Sequence, residues 1–174
     1  SFDCVIITIH GTPGEDGKIQ GYLDIVGIPY INSSPLASAL SFNKWFCNKT
    51  LSSFGIRIAS SICIRKTDAI NKAEIISKIG LPLFIKPTNS GSSYGISKVY
   101  SENDFERSIE LGFKEGNELI IESFVNGREL TCGVTKINGE IMSKVEVIEN
   151  MDFKEYLSLD RLSSSAIKDY MVCP

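Results

Sequence analysis

Lys86 and the loop behind it hold the first residues whose types and spacing could do chemistry. Leu83, Phe84 and Ile85 form a short apolar run that ends on this one cation, and Pro87, with no N–H to offer, closes it. Asn89-Ser90-Gly91-Ser92-Ser93-Tyr94-Gly95 follows, and Ile96 to Tyr100 resumes an extended pattern. Glycines open backbone conformations denied to other residues, and small side chains leave the amides exposed. Ser92 and Ser93 add hydroxyl donors. A cation beside such a loop suits a polyphosphate. The same loop also suits a hairpin with a mobile tip and a surface lysine, and a short motif alone does not separate the two. The cost of leaving a charge unpaired in an apolar strand favours the phosphate reading of Lys86 over the surface one.

Two familiar phosphate loops are excluded. No Gly-Lys-Ser/Thr precedes a helix, and no Gly-x-Gly-x-x-Gly follows a first strand. A phosphate loop between two antiparallel strands points instead to an ATP-grasp arrangement, an α/β fold in which a glycine-rich lid covers the nucleotide.

The elements that must position these residues are legible in part. Cys4 to Ile9 is a continuous apolar run, as in a parallel strand covered on both faces. The loop His10 to Gly17 leaves its carboxyl end, where ligands gather in open α/β sheets. Ile19, Tyr22, Leu23 and Val26 have the spacing of a short helix that stops at Gly27. Ser33 or Ser34 caps a further helix with Pro35 in its first turn. The sequence predicts helices over 43–54, stopped by Gly55, and over 68–79, stopped by Gly80. Between them Ile56, Ile58, Ile62 and Ile64 read as extended, interrupted at Ser60-Ser61. Ser101 to Asp104 matches a helix cap, with Phe105, Ile109 and Phe113 as the apolar face. Strand 118–124 follows. Asn138-Gly139 then joins two alternating strands, Leu130-Cys132-Val134 and Ile141-Ser143-Val145-Val147, as a hairpin. After Asn150 the pattern fades, and 157–166 reads as a loop or mobile lid. The first ~45 residues are too few to hold a core of their own. With a first residue Ser1 and no closing element before Pro174, the chain reads as a fragment or as one lacking segments.

Composition narrows the function. A net charge of −3 with no Lys/Arg cluster argues against a nucleic-acid partner. The longest apolar runs are too short to cross a bilayer, so no membrane partner is expected. No signal-peptide pattern is present, and five cysteines without a Cys-x-x-Cys pair suit reduced thiols, so a cytoplasmic location is expected. The cysteines lack ligand spacing, and no metal site is expected within these residues.

Four stretches, in order, resemble the D-alanine–D-alanine ligase family. They are His10-Gly-x-x-Gly-Glu-Asp-Gly17-x-x-Gln20-Gly21; Gly27-Ile-Pro-Tyr30 with Ala37-Ser38-Ala39 and Lys44; the strand and loop from Leu81 to Val99; and Ile121-Glu122-x-Phe-Val-x-Gly127-x-Glu129. The resemblance covers about Cys4 to Thr131. It implies an ATP-grasp fold with part of a Rossmann-like N-terminal substrate domain (1–42), a central domain (43–117) and the start of a C-terminal domain with a mobile lid (118–174).

The resemblance also implies roles. Lys44 and Lys86 contact ATP phosphates, and Ser92, Ser93 and the loop amides close over the γ-phosphate. Glu122 accepts from the adenine amino group, Val125 offers backbone bonds at the hinge, and Glu129 holds the ribose. His10 and Glu15 lie near the first amino acid, although a lone histidine is more often structural and Glu15 equally suits a turn. Tyr156 matches a lid tyrosine that bonds the serine at Ser92. ATP and Mg²⁺ (or Mn²⁺) are the implied cofactors, D-alanine the substrate, and a homodimer the implied assembly. The implied reaction joins two D-alanines through an acyl phosphate, for peptidoglycan synthesis. Three departures stand against this. Asn43 occupies a position that is Asp in the family, Glu155 falls where a lysine is expected, and the family's Mg²⁺ ligands lie beyond Pro174. A degenerate, non-catalytic nucleotide binder, or another ATP-grasp carboxylate–amine ligase, is the alternative.

Overall fold

The computed structural model describes residues 3–90, 94–128, 130–137 and 140–147. They fall into two compact units, 40–126 and the residues on either side of it, with helix α2 (Pro35–Phe42) running across the first boundary.

In the first unit, strand β1 (Val5–Ile6) pairs in parallel with β2 (Tyr30–Ile31), and helix α1 (Lys18–Val26) makes the crossover. The parallel pairing expected of the Cys4–Ile9 run is present. Its extent and coverage are not, because only two residues are ladder-bonded, and among the described residues Ile6 and Ile9 stay exposed while Ile7 is buried. The apolar face read for α1 is likewise corrected. Leu23 is buried, but Tyr22 and Val26 are exposed, and the second buried residue is Gln20. Gln20 earns its place by hydrogen bonding. Its amide donates to Gly14 O at 2.7 Å and to Asn32 Oδ1 at 3.1 Å, tying the loop to the segment after β2. Two glycines of that loop are demanded by space. A Cβ on Gly17, whose φ is +85°, would meet Pro35 O at 2.4 Å, and one on Gly14 would meet Ile9 O at 2.2 Å. Ser34 is the residue that caps α2, its hydroxyl accepting from Ala37 N–H.

The unit 40–126 is built on a four-stranded antiparallel sheet, in the order β3 (Ser61–Arg65), β6 (Glu118–Ser123), β4 (Leu83–Pro87), β5 (Ser97–Val99). Residues directly opposed in an antiparallel ladder share a face. One face therefore gathers Ile64, Leu83, Ile85, Val99, Leu119 and Ile121. Ile75 of helix α4 (Lys72–Ile79) and Phe105 and Ile109 of helix α5 (Phe105–Glu115) pack on it to complete the core. The opposite face carries Ser61, Phe84, Lys86, Lys98, Ile120 and Glu122. Strand alternation thus separates an apolar layer from a largely polar one.

Several boundaries differ from the sequence expectation. Residues 56–60 are not strand, and β3 begins at Ser61. Helix α4 starts at Lys72 rather than near Asp68. Asp68 instead accepts from Arg65 N–H in a turn, and Asn71 takes the cap by accepting from Glu74 N–H. The Ser101 hydroxyl donates to the Asp104 carboxylate rather than capping a backbone amide, and a 3₁₀ turn precedes α5. Strand β6 lies in the interior of this sheet, and the unit ends after 126. The hairpin is present as β7 (Leu130–Ile137) against β8 (Glu140–Val147), with Ile137 opposite Glu140.

Phe105 joins the sheet's apolar face to α5 and is 1% exposed. Phe105→Ala should cost about 3–5 kcal/mol of unfolding free energy. A denaturant melt of the intact protein checks this, and a loss under 1 kcal/mol would contradict the packing described.

Candidate functional site

The polar face of the sheet in 40–126 concentrates charge. Lys86 Nζ lies 2.7 Å from Glu122 Oε2, and the two residues sit on neighbouring strands, offset by two positions in the ladder. Both are largely withdrawn from water, Glu122 being 8% exposed as a residue. The charge of Lys86 is met by Glu122, a pairing the sequence reading did not foresee. The other oxygen of the same carboxylate, Oε1, accepts from Asn48 Nδ2 at 2.6 Å. Asn48 belongs to helix α3 (Lys44–Ser53), one turn after Lys44.

Lys44 is held at the start of the loop. Its backbone N–H donates to Thr88 O at 3.0 Å. Its ammonium donates to Ser90 O at 2.7 Å and to Pro87 O at 3.2 Å. Burial pushes the Lys44 ammonium below the usual lysine pKa. The nearby Lys86 charge pushes the same way, and Glu122 opposes them both. The departure at Asn43 does not disturb this. Asn43 is buried and caps α3, its Oδ1 accepting from Phe46 N–H at 3.0 Å, which is what an aspartate at a cap would also do.

Around this core lie groups that sequence reasoning missed. Lys98 stands 3.6 Å from the Phe124 ring centroid and 5.6 Å from that of Phe84, beside the segment that carries the exposed Val125. The hydroxyl of Ser61, directly opposite Glu122, is buried without a hydrogen-bond partner among the described residues. The β-register of Lys98 with Phe84 would have followed from the hairpin pairing. Asn48 carries no such signal, since asparagine inside a helix reads as a surface residue.

Of the expected site residues, Lys44, Lys86 and Glu122 are brought together within 40–126, with Val125 in the same unit. His10 and Glu15 lie in the other unit. His10 is exposed. Glu15 turns back on its own loop, its carboxylate accepting from Gly11 N–H, so the turn-shaping role is the one the geometry displays. Ser92, Ser93, Glu129, Tyr156 and Glu155 lie outside the described residues. Among the described residues no group of three His, Cys, Asp or Glu could hold a metal, and no helix is long and apolar enough to cross a membrane.

The arrangement offers two cations, Lys86 on the sheet and Lys44 on α3, and a fixed acceptor, Glu122, with Lys44 held against Pro87 and Ser90. Removing one partner of a buried pair leaves the other uncompensated. Lys86→Met should therefore lower stability by about 1–3 kcal/mol. In a Glu122→Gln background the same change should cost much less. Thermal melts of the four proteins test this. Equal losses in both backgrounds would show that the two side chains are not coupled.

Comparison with known proteins places this geometry in a family. The model described as "D-ala D-ala ligase C-terminus" matches residues 50–168, and "D-ala D-ala ligase N-terminus" matches residues 1–33. A D-alanine–D-alanine ligase of Phocaeicola vulgatus is 47% identical over 157 residues, 89% of this chain and 48% of the relative. One of Parabacteroides distasonis is 45% identical over the same shares. Among solved structures, the VanG D-Ala:D-Ser ligase of Enterococcus faecalis superposes with a TM-score of 0.78 at 36% identity, covering 86% of this chain and 44% of that one. The D-alanine–D-alanine ligase of Coxiella burnetii superposes at 0.80 and 26%, covering 97% and 52%. The chain spans about half the length of the curated relatives it matches. Two family models, long identity to the curated relatives and the ATP-grasp fold of the structural neighbours agree, and the chain belongs to the D-alanine–D-alanine ligase family.

Proposed function

We propose that the whole protein is an ATP-dependent ligase that joins two D-alanines and supplies the dipeptide to peptidoglycan synthesis, acting in the cytoplasm as a homodimer. The observation that supports this reading best is the pairing of Lys86 with Glu122 beside Lys44 at the mouth of the Ser90–Gly95 loop. These are the groups that the resemblance to the family sets around ATP. Residues 1–42 are part of the substrate domain, 43–117 form the central domain, and 118–174 are the start of the C-terminal domain.

In the reaction, the carboxylate of one D-alanine attacks the γ-phosphorus and becomes an acyl phosphate, with ADP leaving. The amine of the second D-alanine attacks the acyl carbon, phosphate leaves, and the amine proton is lost to solvent or base. A carboxylate approaching a polyphosphate meets like charge, so catalysis rests on preorganised positive groups. Lys44 and Lys86 supply two, and the loop amides with Ser92 and Ser93 supply neutral donors. Glu122 and the Val125 backbone hold the adenine, and Glu129 holds the ribose. Tyr156 closes the lid on Ser92, which excludes water from the acyl phosphate. His10 and the loop shaped by Glu15 face the first D-alanine. Mg²⁺ or Mn²⁺ would neutralise phosphate charge when bound. The described residues do not supply its ligand set, and no step above depends on them for it. The degenerate-binder reading loses one of its supports, since Asn43 keeps the α3 cap.

The intact protein with Mg-ATP should release phosphate with D-alanine and not with L-alanine. Equal rates with both would remove the assignment of the His10–Gly21 loop, and no release with either would remove the ligase reading. Lys44 adds a pH signature. Its pKa is lowered in the free protein, and bound phosphates favour the charged ammonium, which raises the pKa in the complex. Affinity for ATP should therefore be full below the lowered free pKa and decline as pH rises through it. Titration calorimetry of the wild type and Lys44→Met between pH 7 and 10 tests this. A decline of the same size in Lys44→Met would assign it to another group.

A further inference from the structure

We propose that Asn48 is a positioning residue for nucleotide-base selection, through its hold on Glu122. The inference rests on the reading that Glu122 accepts from the adenine amino group. A glutamate carboxylate has roughly four lone-pair directions. In this structure one on Oε1 is taken by Asn48 Nδ2 at 2.6 Å and one on Oε2 by Lys86 Nζ at 2.7 Å. One lone pair on each oxygen is left for another donor. The two anchors differ in kind. Lys86 is a flexible ammonium that the phosphates also attract, so its bond to Glu122 weakens when ATP binds. Asn48 is neutral, makes no competing claim on phosphate, and sits on a helix capped by Asn43 and tied by the Lys44 N–H to Thr88 O, directly after β4. Once Lys86 is shared with phosphate, Asn48 is the anchor that keeps Glu122 in one rotamer. The carboxylate is then aimed before the base arrives, and preorganisation of an acceptor is what discriminates an amino from a keto group.

The consequence is specific to the base. Inosine triphosphate has the same ribose and phosphates as ATP but presents a keto oxygen where adenine presents its amino group. Calorimetric dissociation constants for ATP and inosine triphosphate, measured on the intact protein, separate the possibilities. The wild type should prefer ATP. Absence of that preference overturns the Glu122–adenine reading and this proposal with it. In Asn48→Ala the preference should shrink by about tenfold, the equivalent of one hydrogen bond. It should shrink through weaker ATP binding, with inosine triphosphate affinity within about twofold of wild type. Asn48→Gln, which keeps the amide donor on a longer arm, should recover part of the preference. A wild type that prefers ATP together with an Asn48→Ala that keeps the full preference, or loses affinity for both nucleotides equally, would overturn the positioning role while leaving the adenine reading standing.

Discussion

The carboxylate of Glu122 is the interaction on which the rest of the 40–126 unit depends. It sits on an interior strand, 8% exposed, on the face of the sheet that the apolar core does not use. A carboxylate there is tolerated only when its charge and its lone pairs are met. Lys86 meets the charge from the adjacent strand, and Asn48 meets the geometry from α3. One buried acid thereby joins three elements, and α3 is drawn to the sheet by a polar contact rather than by an apolar stripe. None of its residues is buried. The helix is positioned by what it delivers to the site.

That arrangement also explains why the sheet has two unlike faces. The core face is filled by Leu83, Ile85, Val99, Leu119 and Ile121, packed under α4 and α5. Each of these residues contributes about 1.5–3 kcal/mol through burial, and together they are the ordinary source of stability. The polar face adds little of that kind. A buried ion pair repays its desolvation only with good geometry, so Lys86 and Glu122 are better understood as chemistry borne by the fold than as its support. The register makes the separation possible. Phe84 faces Glu122 on one side and Lys98 on the other, while Leu83 and Ile85, one residue away, face the core. A slip by one residue would exchange the faces and set the moved strand's charge against the apolar core.

The sequence showed this fold unevenly, for identifiable reasons. The strands around the loop and the hairpin at Asn138-Gly139 were legible because alternation and turn residues are local signals. Lys86 was legible because a lone cation in an apolar run has to be explained. Glu122 entered only through the resemblance of its stretch to a family, since a single acid at the end of Leu119-Ile120-Ile121 also suits an exposed strand end. Asn48 gave no signal at all, because its partner lies 74 positions away. The start of α4 was misplaced for a competing local reason. Asp68 is as good a cap as Asn71, and the turn after β3 claims it first. The face of α1 was misread because Gln20, a polar residue, is buried by hydrogen bonds that periodicity does not register.

Lys44 and Lys86 are close enough for one to depress the protonation of the other, and a single carboxylate stands between them. These three groups together carry one more positive than negative charge. Burial adds to the strain on Lys44, which answers it by donating to the carbonyls of Pro87 and Ser90. Those bonds place the ammonium at the mouth of the loop and cost little to exchange, since a carbonyl dipole is a weaker partner than a phosphate oxygen. An anion arriving there would relieve the repulsion between the lysines and oppose the lowering of the Lys44 pKa. This surplus of positive charge is the physical ground for the proposed preference for a polyphosphate over a neutral ligand.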